Sequence, residues 1–182
     1  DIVSGFHTDP VGLLLSHRAD WAIVSEVEQN DDVLFKPLFS YEMVGICSKD
    51  HPLANKDVWQ AEDFAEETWV TYPVPDDMLD LYRQVLKPKG INPPRRTTEL
   101  TIALIQLVAS RRGIATVPYW AALPYLEKGY VVARKITEEG LFSNLYAAIR
   151  KEDANLAYIE DFHQTVKAQS FSTLPGLSVL EL

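Results

Sequence analysis

The sequence predicts an α/β protein made of two lobes joined by two crossing strands, and three observations carry that prediction. The stretch LIQLVASRRGIATVPYWAAL, residues 104–123, reads as helix, tight turn, buried strand and helix in immediate succession. The rest of the chain alternates helix-period with strand-period segments, without repeats or low-complexity tracts. A late strand and helix, residues 145–150 and 155–170, form a return unit of the kind that closes a two-lobed chain. With 182 residues, 47% of them hydrophobic and 24% charged, there is enough apolar side chain for a real core.

Taken in order, residues 1–5 read as a strand, and residues 9–18 as a helix with Asp9 as its cap and Pro10 in its first turn. Residues 20–25 form a second strand and 26–32 a charged loop. Residues 33–39 and 41–48 read as two strands separated by a tight bend. His51-Pro52-Leu53-Ala54 is a turn, because proline keeps His51 out of helical geometry. A short helix at 61–65 precedes a buried strand at 69–72. A helix near 76–86 carries Met78, Leu79, Tyr82, Val85 and Leu86 on one face. Pro88, Gly90, Pro93 and Pro94 end it, and a strand follows around 96–99.

In the quoted stretch, Leu104, Leu107 and Val108, together with Ile105 and Ala109, cover more than half the helix surface, so that helix is buried on more than one side. Arg111 and Arg112 complement its negative end, and Gly113 supplies the left-handed residue by which the chain leaves. Ile114 to Val117 read as a buried strand stopped by Pro118, which opens a new helix at Tyr119. That helix runs on through 121–128. Strands at 131–132 and 145–150 follow. The final helix at 155–170 carries Leu156, Ile159, Phe162 and Val166, and the last twelve residues read as an irregular tail.

Composition excludes several functions. A net charge of -9, from 17 basic and 26 acidic residues, argues against holding nucleic acid by counterion release. No apolar run reaches the length of a membrane span, and no signal peptide precedes Asp1, although DIVSGF reads as the middle of a strand and so as the start of a fragment. The single cysteine, Cys47, lies in an apolar strand and reads as a buried core residue, which points to a reduced, cytoplasmic setting. No GxSxG, HExxH, P-loop or CxxC occurs, and His7, His17, His51 and His163 are too dispersed for metal-ligand spacing. The acidic pairs Asp31-Asp32, Glu66-Glu67, Asp76-Asp77 and Glu138-Glu139 are sequence neighbours that diverge, whereas acid-base catalysis needs convergence. The expectation is therefore no catalytic residue, no metal and no cofactor.

Several motifs in order carry a family resemblance. His51-Pro52-Leu53-Ala54 after an apolar strand, and Leu107-Val108-Ala109 before Gly113-Ile114-Ala115 and Val117-Pro118, resemble the effector-binding domain of LysR-type transcriptional regulators. Tyr72-Pro73-Val74, Leu104-Ile105-Gln106, Pro118 two before Trp120, Gly140-Leu141, and Leu145-Tyr146-Ala147-Ala148 with Arg150 are similar, more narrowly, to the methionine-biosynthesis regulators of that family, which answer to homocysteine. The resemblance covers residues 1 to about 171. It implies a fold like type II periplasmic binding proteins, with lobe one at 1–44 and 151–171, lobe two at 48–147, and a tail at 172–182. It also implies that the helix-turn-helix domain lies outside this chain and that Asp1 matches the family's second strand, so that the first strand and helix of lobe one are absent. The partners implied are a small-molecule effector, a second copy of the domain in an antiparallel homodimer, with a tetramer open to the full-length protein, and DNA only through the missing amino-terminal domain. No membrane partner is implied.

The pocket follows from physics as well. In open α/β sheets ligands bind beyond the carboxyl ends of strands, where helix amino termini offer unpaired N–H groups suited to a carboxylate. The junctions that qualify are Phe6-His7-Thr8, Tyr72 with Pro73-Val74-Pro75, Leu100-Thr101, and Pro118-Tyr119-Trp120. Thr8 and Thr101 are candidates for an amino acid's carboxylate, Asp9 or Glu99 for its ammonium, and Phe6, Val74 or Tyr119 for its sulfur end. The effector-binding set is Phe6, His7, Thr8, Tyr72, Val74, Thr101, Pro118 and Tyr119. Each has a plainer reading: Thr101 and Asp9 as helix caps, His7 as a turn residue, Tyr119 and Trp120 as packing, and Arg95, Arg96, Arg111 and Arg112 as solvated charges. Two further classes stay open, a solute-binding protein of a transport system on the same fold, and an enzyme on that fold.

Overall fold

A computed structural model describes residue 2 and residues 9–180. In chain order the elements are α1 (Pro10–Leu15), β1 (Ala22–Val24), β2 (Val33–Cys47), β3 (Val58–Trp59), β4 (Trp69–Thr71), β5 (Arg95–Thr97), α2 (Thr101–Ala109), β6 (Ile114–Pro118), α3 (Tyr119–Glu127), β7 (Val132–Ile136), β8 (Leu141–Arg150), α4 (Ala157–Thr173) and β9 (Leu177–Ser178). The chain divides into two compact units, one of residues 1–41 with 143–182 and one of residues 42–142; β2 and β8 contribute residues to both. Apart from Ile2, the strand expected at residues 1–5 lies outside the described residues.

In the first unit the Asp9 carboxylate accepts the Gly12 N–H at 2.9 Å and caps α1, as its position before Pro10 predicts. The helix stops at Leu15 and does not reach residue 18. His17 turns left-handed at φ 56°, and the Arg18 and Ala19 N–H groups bond back to the Leu13 carbonyl. Val11 and Leu14 bury against Val33 and Ala148. β1 pairs antiparallel with β8, and β8 neighbours β2. Arg150, closing β8, is buried and donates to the Leu14 carbonyl at 2.8 Å, to the Ala19 carbonyl, to Asp20 at 3.0 Å and to Asp153 at 2.5 Å.

β2 is one strand of 15 residues where two were expected. The supposed bend at Ser40 is held in a ladder: Ser40 and Tyr41 pair with Ser178 and Leu177, and the Ser40 hydroxyl reaches the Ser143 carbonyl. The same pairing corrects the irregular tail, since α4 runs to Thr173 and β9 then joins β2.

In the second unit, β2 pairs antiparallel with β6 and β7, while β4 pairs parallel with both β5 and β6. Two cores form. Trp59, Phe64, Trp69, Leu81, Leu86 and Ile114 anchor one; Val70, Leu104, Ile105, Val108 and Val117 belong to the other. Trp59 fixes the first core by its polar handle, with Nε1 donating to the Leu53 carbonyl at 2.9 Å. Its ring covers the backbone of Gly45 so closely that a Cβ there would lie 2.3 Å from a ring carbon. His51 caps the 3-10 turn Pro52–Asn55: Nδ1 accepts the Leu53 N–H at 3.2 Å, leaving Nε2 to donate to Glu67 at 3.3 Å.

Three local expectations change in this unit. The helix predicted at 76–86 is a 3-10 turn, Asp76–Met78, then an extended Leu79, then a π-type turn, Tyr82–Leu86. Pro88 has no N–H for the Gln84 carbonyl, and the wider turn has the Lys87 N–H donating to Tyr82 instead. At the end of α2 the left-handed residue is Arg111, at φ 60°, while Gly113 sits at φ 145° with its α-carbon against the Thr68 carbonyl, where a Cβ would lie 2.1 Å from the oxygen. Arg95 is exposed, as a solvated charge should be, but it is held in place: its guanidinium lies 5.1 Å from the Trp69 ring centroid and 5.0 Å from that of Tyr82, and pairs with Asp76.

Candidate functional site

Parallel pairing of β5, β4 and β6 brings their carboxyl ends to one edge of the second unit. The register sets Trp69 against Arg95 on one side and against Ile114 on the other. The chain leaves this edge three times: at Tyr72 after β4, through Leu100 into α2 after β5, and at Pro118 into α3 after β6. Five of the eight effector-binding candidates, Tyr72, Val74, Thr101, Pro118 and Tyr119, belong to these exits. Phe6, His7 and Thr8 lie outside the described residues.

Tyr72 and Thr101 are joined directly. Their hydroxyl oxygens lie 2.7 Å apart in a hydrogen bond, across 29 residues of sequence. Burial pushes the Tyr72 phenol above its ordinary pKa, and the bond to Thr101 works against that shift. At neutral pH the phenol therefore keeps its proton. Either hydroxyl can be the donor of this bond.

Thr101 is not the cap of α2. The capping position is Leu100, which has no side-chain oxygen, and Thr101 is the first helical residue. The threonine hydroxyl that would ordinarily close a helix start is turned to Tyr72 instead. Pro118 ends β6 opposite Met43 and holds the capping position of α3, again without a side-chain cap. Two nine-residue helices thus begin at this edge without a side-chain cap on their first N–H groups, an arrangement that favours anionic oxygen.

Tyr72 packs against both cores of the unit, Val74 against the first and Tyr119 against the second, so each aromatic or aliphatic candidate is partly core and partly surface. Leu100 and Ile102, 62% and 58% exposed, flank Thr101 in the chain; sequence reasoning names Leu100 only as part of this junction and Ile102 not at all, and the signal available was two large apolar residues at a helix start. Asp9 acts as the α1 cap, the plainer of its two readings. Among the described residues no cluster of three acidic, histidine or cysteine side chains has metal-binding geometry.

The chain is similar to known proteins over most of its length. The model of the LysR substrate binding domain matches residues 1–170. Over 182 residues the chain is 86% identical to the HTH-type transcriptional regulator MetR of Haemophilus influenzae, covering 100% of this chain and 59% of that protein. It is 35% identical to MetR of Salmonella typhimurium over 175 residues, covering 96% of this chain and 55% of that protein. The chain thus spans little more than half the length of these curated relatives. The regulatory domain of MetR, a LysR family regulator from N. meningitidis, matches with a TM-score of 0.91 at 66% identity, covering 100% of this chain and 84% of that one. With a family model matched over most of its length and a regulatory domain matched over all of it, the chain belongs to the LysR substrate-binding-domain family and has the α/β fold of that family's regulatory domains.

Proposed function

We propose that this chain is the effector-sensing domain of a MetR-type transcriptional regulator and that its effector is homocysteine. The observation that carries the reading is the Tyr72–Thr101 hydroxyl pair at the shared edge of β4, β5 and β6, beside the starts of α2 and α3. In this reading the ligand carboxylate accepts from the first N–H groups of α2 and α3 and from a hydroxyl of the pair. The thiol end lies against the apolar flanks of Val74 and Tyr119. The likeness to proteins named MetR supports a role in methionine biosynthesis.

The remainder of the proposal concerns the larger protein. The domain pairs with a second copy, acts in the cytoplasm, performs no catalysis, and meets DNA through a segment outside this chain. Its lobes are residues 1–44 with 151–171, and 48–147. Effector binding alters regulation only to the extent that homocysteine binds one arrangement of the regulator more tightly than another.

Isothermal titration calorimetry with homocysteine and then methionine tests the reading. Homocysteine is expected to bind and methionine to bind more weakly, because its extra methyl must fit the same apolar slot. At about a hundred times the dissociation constant, homocysteine should stabilise the fold by about 2.7 kcal/mol, visible as a thermal shift. The absence of both heat and shift with homocysteine would reject it as the effector.

A further inference from the structure

His163 lies on the inward face of α4, 4% exposed, one turn after the buried Ile159. Its Nδ1 is shut off from solvent and has no hydrogen-bond partner among the described residues. The charged groups that act on the ring are Lys36 from β2, and Glu160 and Lys167 from α4 itself. Glu160 is already engaged: one carboxylate oxygen accepts from Lys36 at 2.6 Å and the other from Gln164 at 2.7 Å.

This setting accepts a neutral imidazole and resists the cation. A neutral ring leaves only a lone pair unpaired at Nδ1. Protonation would place a buried N–H there without an acceptor, add a positive charge that two lysines disfavour, and compete with Lys36 for the one carboxylate. Burial and Lys36 hold the imidazole below its ordinary pKa accordingly.

We propose that His163 is a pH-sensitive latch on the first unit: neutral, it seats α4 against β2, and protonated, it loosens that helix. The unfolded or loosened chain binds a proton near the ordinary histidine pKa of about 6.5, the seated form only at lower pH. The seating is therefore complete above about pH 6.5 and weakens as pH falls below it. This goes beyond effector sensing and concerns an element separate from the Tyr72–Thr101 edge.

Amide hydrogen exchange along α4 of the 182-residue chain tests it, with protection corrected for intrinsic rate and compared at about pH 7.5 and about pH 5.5. The expected result is a loss of protection of up to about tenfold in α4 at the lower pH, absent in His163→Gln. Unchanged protection in the unsubstituted chain, or an equal loss in the glutamine variant, would overturn the latch. Should His163→Gln not fold, the ring-proton NMR titration of His163 decides. A midpoint below about 6.5 that rises in Lys36→Met supports the latch, and one at or above that value overturns it.

Discussion

The Tyr72 phenol and the Thr101 hydroxyl meet at 2.7 Å, which makes the end of β4 and the start of α2 one hydrogen-bonded unit. Removing either oxygen has a different consequence for stability than for binding. Tyr72→Phe is expected to cost about 1 kcal/mol of fold stability by denaturant titration. The same substitution should weaken homocysteine binding by about fivefold if one hydroxyl donates to the ligand. Thr101→Val should weaken binding at least as much, with Thr101→Ser restoring it. Unaltered affinity in both Tyr72→Phe and Thr101→Val would remove the pair from the site.

Gly45 has no room for a side chain, because the buried Trp59 ring covers it. Gly45→Ala must push an indole that is fixed by its bond to the Leu53 carbonyl. A loss of about 1–3 kcal/mol in unfolding free energy is expected, the usual cost of overpacking. A variant as stable as the parent would show that Trp59 shifts freely.

Arg150, with its side chain 7% exposed, joins β8 to the end of α1 through the Leu14 carbonyl and also donates to the Ala19 carbonyl and to the Asp20 and Asp153 carboxylates. Arg150→Met keeps most of the bulk and leaves those acceptors without their donor. The expected cost is about 3 kcal/mol, read by chemical denaturation, with protection lost first in α1.

Cys47 is fully buried, and burial pushes its thiol up to about 11, with Glu67 adding to the effect and Arg134 opposing it. Alkylation by iodoacetamide at neutral pH should therefore follow unfolding, not the native state. Because the folded thiol holds its proton more tightly than an ordinary cysteine, whose pKa is 9.0, stability is expected to fall as pH rises from there to about 11. A Cys47→Ala variant should show less of that alkaline loss.

Local patterns were readable where neighbours in sequence determine the structure. Asp9 before Pro10, and Gly113 to Pro118 running from strand into helix, combine cap, period and breaker within a few residues. Readings failed where distant partners decide. Ser40 looks like a bend until β9 pairs with it, and the terminal tail looks irregular for the same reason. The Tyr72–Thr101 bond belongs to this second class. Both residues were legible as strand-to-helix exits, but their contact depends on the parallel register of β4 and β5, set by Thr71 opposite Thr97. Leu100 in place of a polar cap was equally hidden, since threonine next to it satisfies the sequence rule for a helix start.

We propose homocysteine as a ligand of the edge where α2 and α3 begin. Backbone-amide NMR of the isotope-labelled chain, titrated with homocysteine, tests it most directly. The largest shifts are expected on the amides of Tyr72, Thr101, Ile102, Ala103, Tyr119 and Trp120. Saturable binding with those amides unmoved, and the shifts concentrated elsewhere, would contradict it.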